Sequence, residues 1–167
     1  MGDGGAHATT AARRLALARA ALVGAVVIAV DQLSKHTLGT WLRPGQVRHV
    51  IPGLKLVYER NTGVSFSFLA GDGALVYVVT GVALIGLAGY LLARPQRRLL
   101  WLPAGMLIGG AIGNLIDRVT MGSVIDFIKL PHWPAFNLAD TSITFGVIIL
   151  VLVTELGARR EARQQHE

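Results

Sequence analysis

The 167-residue chain has no cysteine. Disulfides, thiolate metal sites and cysteine nucleophiles are excluded together, though the absence says little about compartment. Charge is scarce as well: 16% of residues are Asp, Glu, Lys or Arg, where a soluble domain has roughly a quarter. Acids are scarcer than bases, 10 against 16. Hydrophobic residues make up 52% and the mean hydropathy is +0.51, so much of the surface is expected to face lipid. Two acids stand out against that background. In "GSVIDFIKLPHWPAFNLADTSITF", residues 122–145, Asp126 and Asp140 both border apolar segments, where an unpaired charge is expensive.

Four apolar stretches run along the chain, at about 15–33, 74–93, 99–116 and 138–156. A bilayer core takes about 20 apolar residues of helix. The middle two stretches meet that directly. The outer two carry charges near their ends (Arg19, Asp140, Glu155) and extend past them into the interface. Arg13, Arg14 and Arg19, then Arg94, Arg97 and Arg98, then Arg159, Arg160 and Arg163 fall on one side of a four-span path, 9 of the 16 bases. The positive-inside rule makes that side the cytoplasm, with both termini inside. The first stretch looks like a secretory signal, but no small-x-small site follows Val30, and "DQLSK" and three further stretches come next. It is therefore expected to be retained. The expected organisation is a disordered cytoplasmic tail at 1–12, one four-helix membrane domain at 13–157 and a basic cytoplasmic tail at 158–167. Gly105, Gly109 and Gly113, spaced by four in "GMLIGGAIG", allow close helix packing, although glycine is common in membrane helices anyway.

The loop at 39–72 has strand character in "LKLVYER" and in "GVSFSF", where Val64, Phe66 and Phe68 alternate with Ser65 and Ser67. "RPGQ" and "IPG" supply turns, and Trp41 suits the membrane interface. The expected fold is an all-α membrane protein of four transmembrane helices, with a small extracytoplasmic β-rich cradle between the first two. A second outer loop, 117–137, holds the proline- and aromatic-rich "KLPHWPAF". Long ordered loops tend to carry function.

The polar residues collect at the outer edge. Asp31 and Lys35 are spaced i, i+4 and can pair on one helix face; Asn114, Asp117 and Arg118 share another. Asn61, Asp126, Asn137 and Asp140 complete the set. Ionisable residues at such depth are functional candidates. For Asp31 and Lys35 a structural ion pair at the helix end is the simpler account. Asn114, Asp117 and Arg118 fit clamping of the second loop as well as a site. Asp140 fits stabilisation of a helix N-terminus, where an acid is favourable. Asp126, beside Phe127 and Ile128, has no local structural reason. His49 and His132 lie in no HxxxH or HExxH spacing and suit the interface, so no metal is expected. Two facing carboxylates would share one proton: the ionised one draws a proton from water, and the protonated one donates to the oxyanion or leaving amine.

"DQLSK", "NTGVSF", "GGAIGNLIDR", "VIDF" and "FNLAD", in that order, resemble the lipoprotein signal peptidase (signal peptidase II) family over about residues 15–156. The resemblance implies a bacterial inner-membrane aspartyl endopeptidase that removes the signal peptide of diacylglyceryl-modified prolipoproteins, cutting before the lipid-carrying cysteine. It implies Asp126 and Asp140 as the catalytic pair. Asn61, Gly63, Asn114, Asp117, Arg118, Asn137, Asp31 and Lys35 fall on its other motif positions, as support for the pair or for substrate. Ser65 stands where the family pattern has alanine, a nearly equal size. Partners implied are the prolipoprotein and membrane lipid; no cofactor and no nucleic acid are expected, and the chain is expected to be a monomer.

Two rival readings remain at this point. A serine–lysine peptidase would use Ser65, or Ser34, with Lys35, although adjacent helical residues such as Ser34 and Lys35 point apart. A small transporter would use the two aspartates as a proton relay, but a relay needs acids near the midplane of the spans, and these sit at one edge.

Overall fold

Helix α1 (Asp3–Trp41) runs for 39 residues without a proline. It stops where Leu42 and Arg43 lead into Pro44, whose ring disfavours helical backbone in the residue before it. The structure, a computed structural model, describes residues 3–62, 81–82, 85–87, 89–90, 93 and 99–164. The other elements are β1 (Val47–Ile51), β2 (Leu54–Asn61), α2 (Trp101–Met121), β3 (Val124–Lys129) and α3 (Leu138–Gln164). Those residues described between 81 and 93 are helical. Most of the second apolar stretch, "GVSFSF", and the Arg94, Arg97 and Arg98 cluster lie outside the described residues. Residues 3–12 continue α1 towards the N-terminus, helped by alanines at 6, 8, 11 and 12, and α3 carries on to Gln164. Near that end Arg159 Nε meets Glu155 Oε1 at 3.0 Å, one turn apart.

Among the described residues two helices are long and apolar enough to cross a membrane: Thr10–Trp41, mean hydropathy 1.8, and Leu138–Arg159, mean hydropathy 1.9. Helix α2 has 21 residues, but its second half carries Asn114, Asp117 and Arg118. It packs between α1 and α3. Leu22, Val26, Val30 and Leu33 of α1, and Phe145, Ile148, Val151 and Leu152 of α3, remain exposed. Apolar faces of that size mark contact with lipid or with a partner.

Glycine sets the closeness of the three helices. A Cβ on Gly105 would lie 2.6 Å from Ala20 O, and one on Gly109 2.7 Å from Gly24 O. On the other side of α2, a Cβ on Gly110 would lie 2.6 Å from Ala139 O. The four-residue spacing is thus a packing device, and Gly110 extends it to α3. In lipid, with no hydrophobic drive between helices, such backbone approach is what holds them together. Below this seam Ala20, Leu100 and Ala104 form a small core, against which Leu87, Tyr90, Trp101 and Leu150 pack. The Arg19 guanidinium lies 5.7 Å from the Trp101 ring centroid.

The strands form one antiparallel sheet of order β1-β2-β3. The strand expected at "LKLVYER" is β2; β1 precedes it across a turn at Gly53 (φ +85°). The cradle is not confined to the loop between the first two helices. Its third strand comes from the second outer loop and is "VIDFIK" itself. Gly122 makes this possible: at φ +70° it caps α2, donating its N–H to Arg118 O at 3.0 Å, and turns the chain into β3. Glu59 then pairs with Asp126 and Asn61 with Val124. Beyond β3 the proline loop doubles back. Phe136 donates its N–H to Ile128 O (3.0 Å), and its carbonyl accepts from Phe127 N (3.0 Å) and Ile128 N (2.8 Å).

Gly109→Ala is expected to push α1 and α2 apart, because its new methyl meets backbone rather than a movable side chain. Overpacking of this kind costs about 1–3 kcal/mol. Thermal unfolding in detergent should show a lowered midpoint.

Candidate active site

The site begins with a buried ion cluster. Lys35 is 3% exposed, Asp31 0% and Asp117 1%. The Lys35 ammonium lies 2.6 Å from Asp31 Oδ2 and 2.7 Å from Asp117 Oδ2, and donates to Asn114 Oδ1 at 3.1 Å. One cation faces two carboxylates, so further donors must offset the second charge. Gln32 Nε2 donates to Asp117 Oδ1 at 2.8 Å and to Gly113 O at 3.2 Å. Ala139 N–H, in the first turn of α3, donates to Asp31 Oδ1 at 2.9 Å. That N–H has no partner within its own helix, so Asp31 caps a helix other than its own. The i, i+4 pair expected from sequence is present, but it also holds α2 and α3. Gln32 has no spacing signal: it is simply next to Asp31.

Asn114 links the cluster to Asp140. Its Oδ1 is occupied by Lys35 Nζ and by Asn137 Nδ2, each at 3.1 Å. Those donors fix which end of the amide is oxygen. Its Nδ2 therefore points to Asp140 Oδ1 and donates at 2.8 Å.

Asn137 and Asp140 form a reciprocal cap at the start of α3. Asp140 N–H donates to Asn137 Oδ1 at 2.8 Å, and Asn137 N–H donates to Asp140 Oδ2 at 3.2 Å. The structural account of Asp140 is therefore correct as far as it goes. The same carboxylate also stands beside the second acid. Asn137, 0% exposed, donates from Nδ2 to Asp126 Oδ1 at 2.9 Å. From β2, Asn61 Nδ2 donates to Asp126 Oδ2 at 3.0 Å. Asn137 thus reaches both acids, the Asp126 carboxylate through its side-chain Nδ2 and the Asp140 carboxylate through its backbone N–H.

Burial pushes the Asp126 carboxyl up from 3.8 to about 6. The Asn61 hydrogen bond opposes this, the neighbouring charge of Asp140 adds to it, and the Asn137 hydrogen bond and the Lys35 charge pull the other way.

The remaining sequence candidates are placed as follows. Arg118 donates from Nη1 to Asn114 O at 3.4 Å, and its Nε is buried without a partner. Arg60, which sequence reasoning did not single out, clamps the loop leaving α2 by donating to Ser123 Oγ (2.8 Å) and Met121 O (2.7 Å). Gly63 and Ser65 lie outside the described residues. Ser34 Oγ donates to Asp31 O at 2.7 Å, and the partners of Lys35 are all acid or amide oxygens. A Ser34–Lys35 nucleophile is excluded by that geometry. His49 is exposed on β1, and His132 is exposed at a turn (φ +59°). Among the described residues no group of three or more His, Cys, Asp or Glu is placed to hold a metal ion.

The sequence model of the Signal peptidase (SPase) II family matches residues 23–155. The lipoprotein signal peptidase of Moorella thermoacetica is 43% identical over 145 residues, covering 86% of this chain and 97% of the relative. That of Syntrophotalea carbinolica is 41% identical over 140 residues, covering 78% and 87%. A solved structure of a bacterial membrane enzyme superposes with a TM-score of 0.76 at 33% identity, covering 81% of this chain and 91% of that one.

Lys35→Met should leave Asp31 and Asp117 buried without a cation. The expected loss is about 3–5 kcal/mol, read as a lower unfolding midpoint in detergent. Asp31→Asn added to Lys35→Met should recover part of it by removing one of the stranded charges.

Proposed function

The chain belongs to the signal peptidase II family, aspartic peptidases that remove the signal peptide from prolipoproteins, and from that premise we propose that Asp126 and Asp140 are its catalytic pair. The observation that carries this is the shared residue: Asn137 donates from its side-chain Nδ2 to the Asp126 carboxylate and from its backbone N–H to that of Asp140, and each has a second asparagine donor, Asn61 on Asp126 and Asn114 on Asp140. An aspartic pair needs one proton between two acids. Asp126, pushed up to about 6, is the member that carries it.

Asp140 takes a proton from a water held between the acids, and the water oxygen adds to the scissile carbonyl carbon. Asp126 gives its proton to the carbonyl oxygen. As the tetrahedral carbon collapses, one of its hydroxyls returns its proton to Asp126 and re-forms C=O, the C–N bond breaks, and the leaving amine, that of the lipid-carrying cysteine, takes the proton from Asp140, so both acids end as they began. Asn61, Asn114 and Asn137 hold the acids, while Asp31, Lys35 and Asp117 hold Asn114 and the start of α3. Arg118 and Gly63 are assigned to supporting the loop and the substrate.

In this reading residues 13–157 cross the bacterial inner membrane four times as a monomer, with both termini cytoplasmic and the acids at the outer leaflet. The apolar faces of α1 and α3 support it, as do the arginine clusters. The signal peptide enters sideways between helices, and the acyl chains of the cysteine stay in lipid.

Asp126→Asn and Asp140→Asn, each nearly isosteric, should lower cleavage of a diacylglyceryl prolipoprotein by roughly 10²–10⁴-fold, leaving full-length precursor on a gel while the protein stays folded. Full activity in either variant would refute the pair. A second test follows from pH. Activity that needs the Asp126 proton is present below its titration point and falls as pH rises through about 6. The Asn61 bond holds that point down, so Asn61→Ala should move the alkaline limb of the rate profile to higher pH.

A further inference from the structure

Beside Asp126 the sheet bounds an open groove of about 390 Å³. Its walls are Glu59 and Arg60 of β2, Asp126 and Lys129 of β3, and Pro134 and Ala135 of the returning loop, with Asn61 and Thr62 at the β2 end. Lys129 Nζ lies 3.7 Å from Glu59 Oε1, and the two side chains are 36% and 51% exposed. The Arg60 guanidinium is tied down on Ser123 and Met121, which leaves Glu59 and Lys129 as the charges able to turn toward an occupant.

A prolipoprotein offers three chemically different pieces around the cut: an apolar signal peptide, a lipid-carrying cysteine and a water-soluble mature chain. The groove is lined mainly by charged and polar side chains, with Pro134 and Ala135 as its apolar part, and so suits a polar chain better than acyl chains or a signal helix. The exposed apolar surface lies instead on α1 and α3. Only the mature chain matches the groove in polarity, and the groove reaches Asp126 itself.

We propose that this groove binds the first residues of the mature chain, and that Glu59 and Lys129 sense the charge of the side chain following the lipid-carrying cysteine. An acidic side chain there draws toward Lys129 and a basic one toward Glu59. Because the pair carries both signs, the native enzyme accepts either. The proposal rests on the peptidase reading and on Asp126 marking the place of the cut.

The test uses the full chain in detergent and synthetic diacylglyceryl peptides that differ only in Asp, Ser or Lys after the cysteine. The readout is the ratio of kcat/KM for the Asp and Lys peptides, which cancels differences in the amount of folded enzyme. Lys129→Glu should shift that ratio toward the Lys peptide by roughly fivefold, and Glu59→Lys should shift it toward the Asp peptide by a similar factor, the size an exposed charge contact supports. Raising the salt should shrink both shifts. A ratio unchanged in both variants, or moved the same way in both, overturns the proposal. Failure of the aspartate pair would show separately, as retained cleavage of all three peptides by Asp126→Asn.

Discussion

The ammonium of Lys35, buried between Asp31 and Asp117, is the constraint on which the rest of the architecture depends. A buried cation with two carboxylates leaves one negative charge to be met by dipoles, and those dipoles come from two further places in the fold. Gln32 supplies one from α1, and the unpaired N–H of Ala139 supplies another from α3. Meeting the charge therefore sets the position of α3 along α1 and α2. It also orients Asn114, whose oxygen is claimed by Lys35 and Asn137 and whose nitrogen must then face Asp140. The cluster does not touch the scissile bond in the proposed mechanism. It decides where the acceptor of the proton stands.

Asp140 caps a helix with the same carboxylate that the proposed mechanism uses. Its side chain closes the first turn of α3 through Asn137, which suits an acid at a helix N-terminus. Asp126 is held in the opposite way. It sits on a strand, 3% exposed, and burial keeps its proton on at a pH where an ordinary aspartate has lost it. Two chemically identical side chains thus sit in different surroundings, a helix end on one side and a buried sheet position on the other. Asn137 couples them.

Rigidity comes from two sources. The glycines of α2 bring α1 and α3 to within backbone contact on its two faces, a spacing that larger residues would break. The sheet joins the segment after α1 to the segment after α2, so the strand bearing Asp126 is pinned by β2 on one side and by Phe136 on the other. That second contact also folds the proline loop back, and it delivers Asn137 and Asp140 beside β3 although they are 11 and 14 residues further along from Asp126.

Sequence by itself determined the membrane character, the acids and amides at one edge, the Asp31–Lys35 pair and the family, because composition, helical spacing and short motifs are local properties. It also placed a strand at β2, since alternation is read within a few residues. It did not place "VIDF" on the same sheet, because pairing with β2 depends on a chain reversal at Gly122 and on a partner more than sixty residues away. Nor did it show that Asp31 caps α3, that Gln32 bonds Asp117 of α2 while Arg60 clamps the loop after α2, or that Asn137 reaches both acids. Those are contacts between distant segments. Only the packed helices and the closed sheet decide them, since a hydrogen bond of about 3 Å exists or not according to where whole elements come to rest.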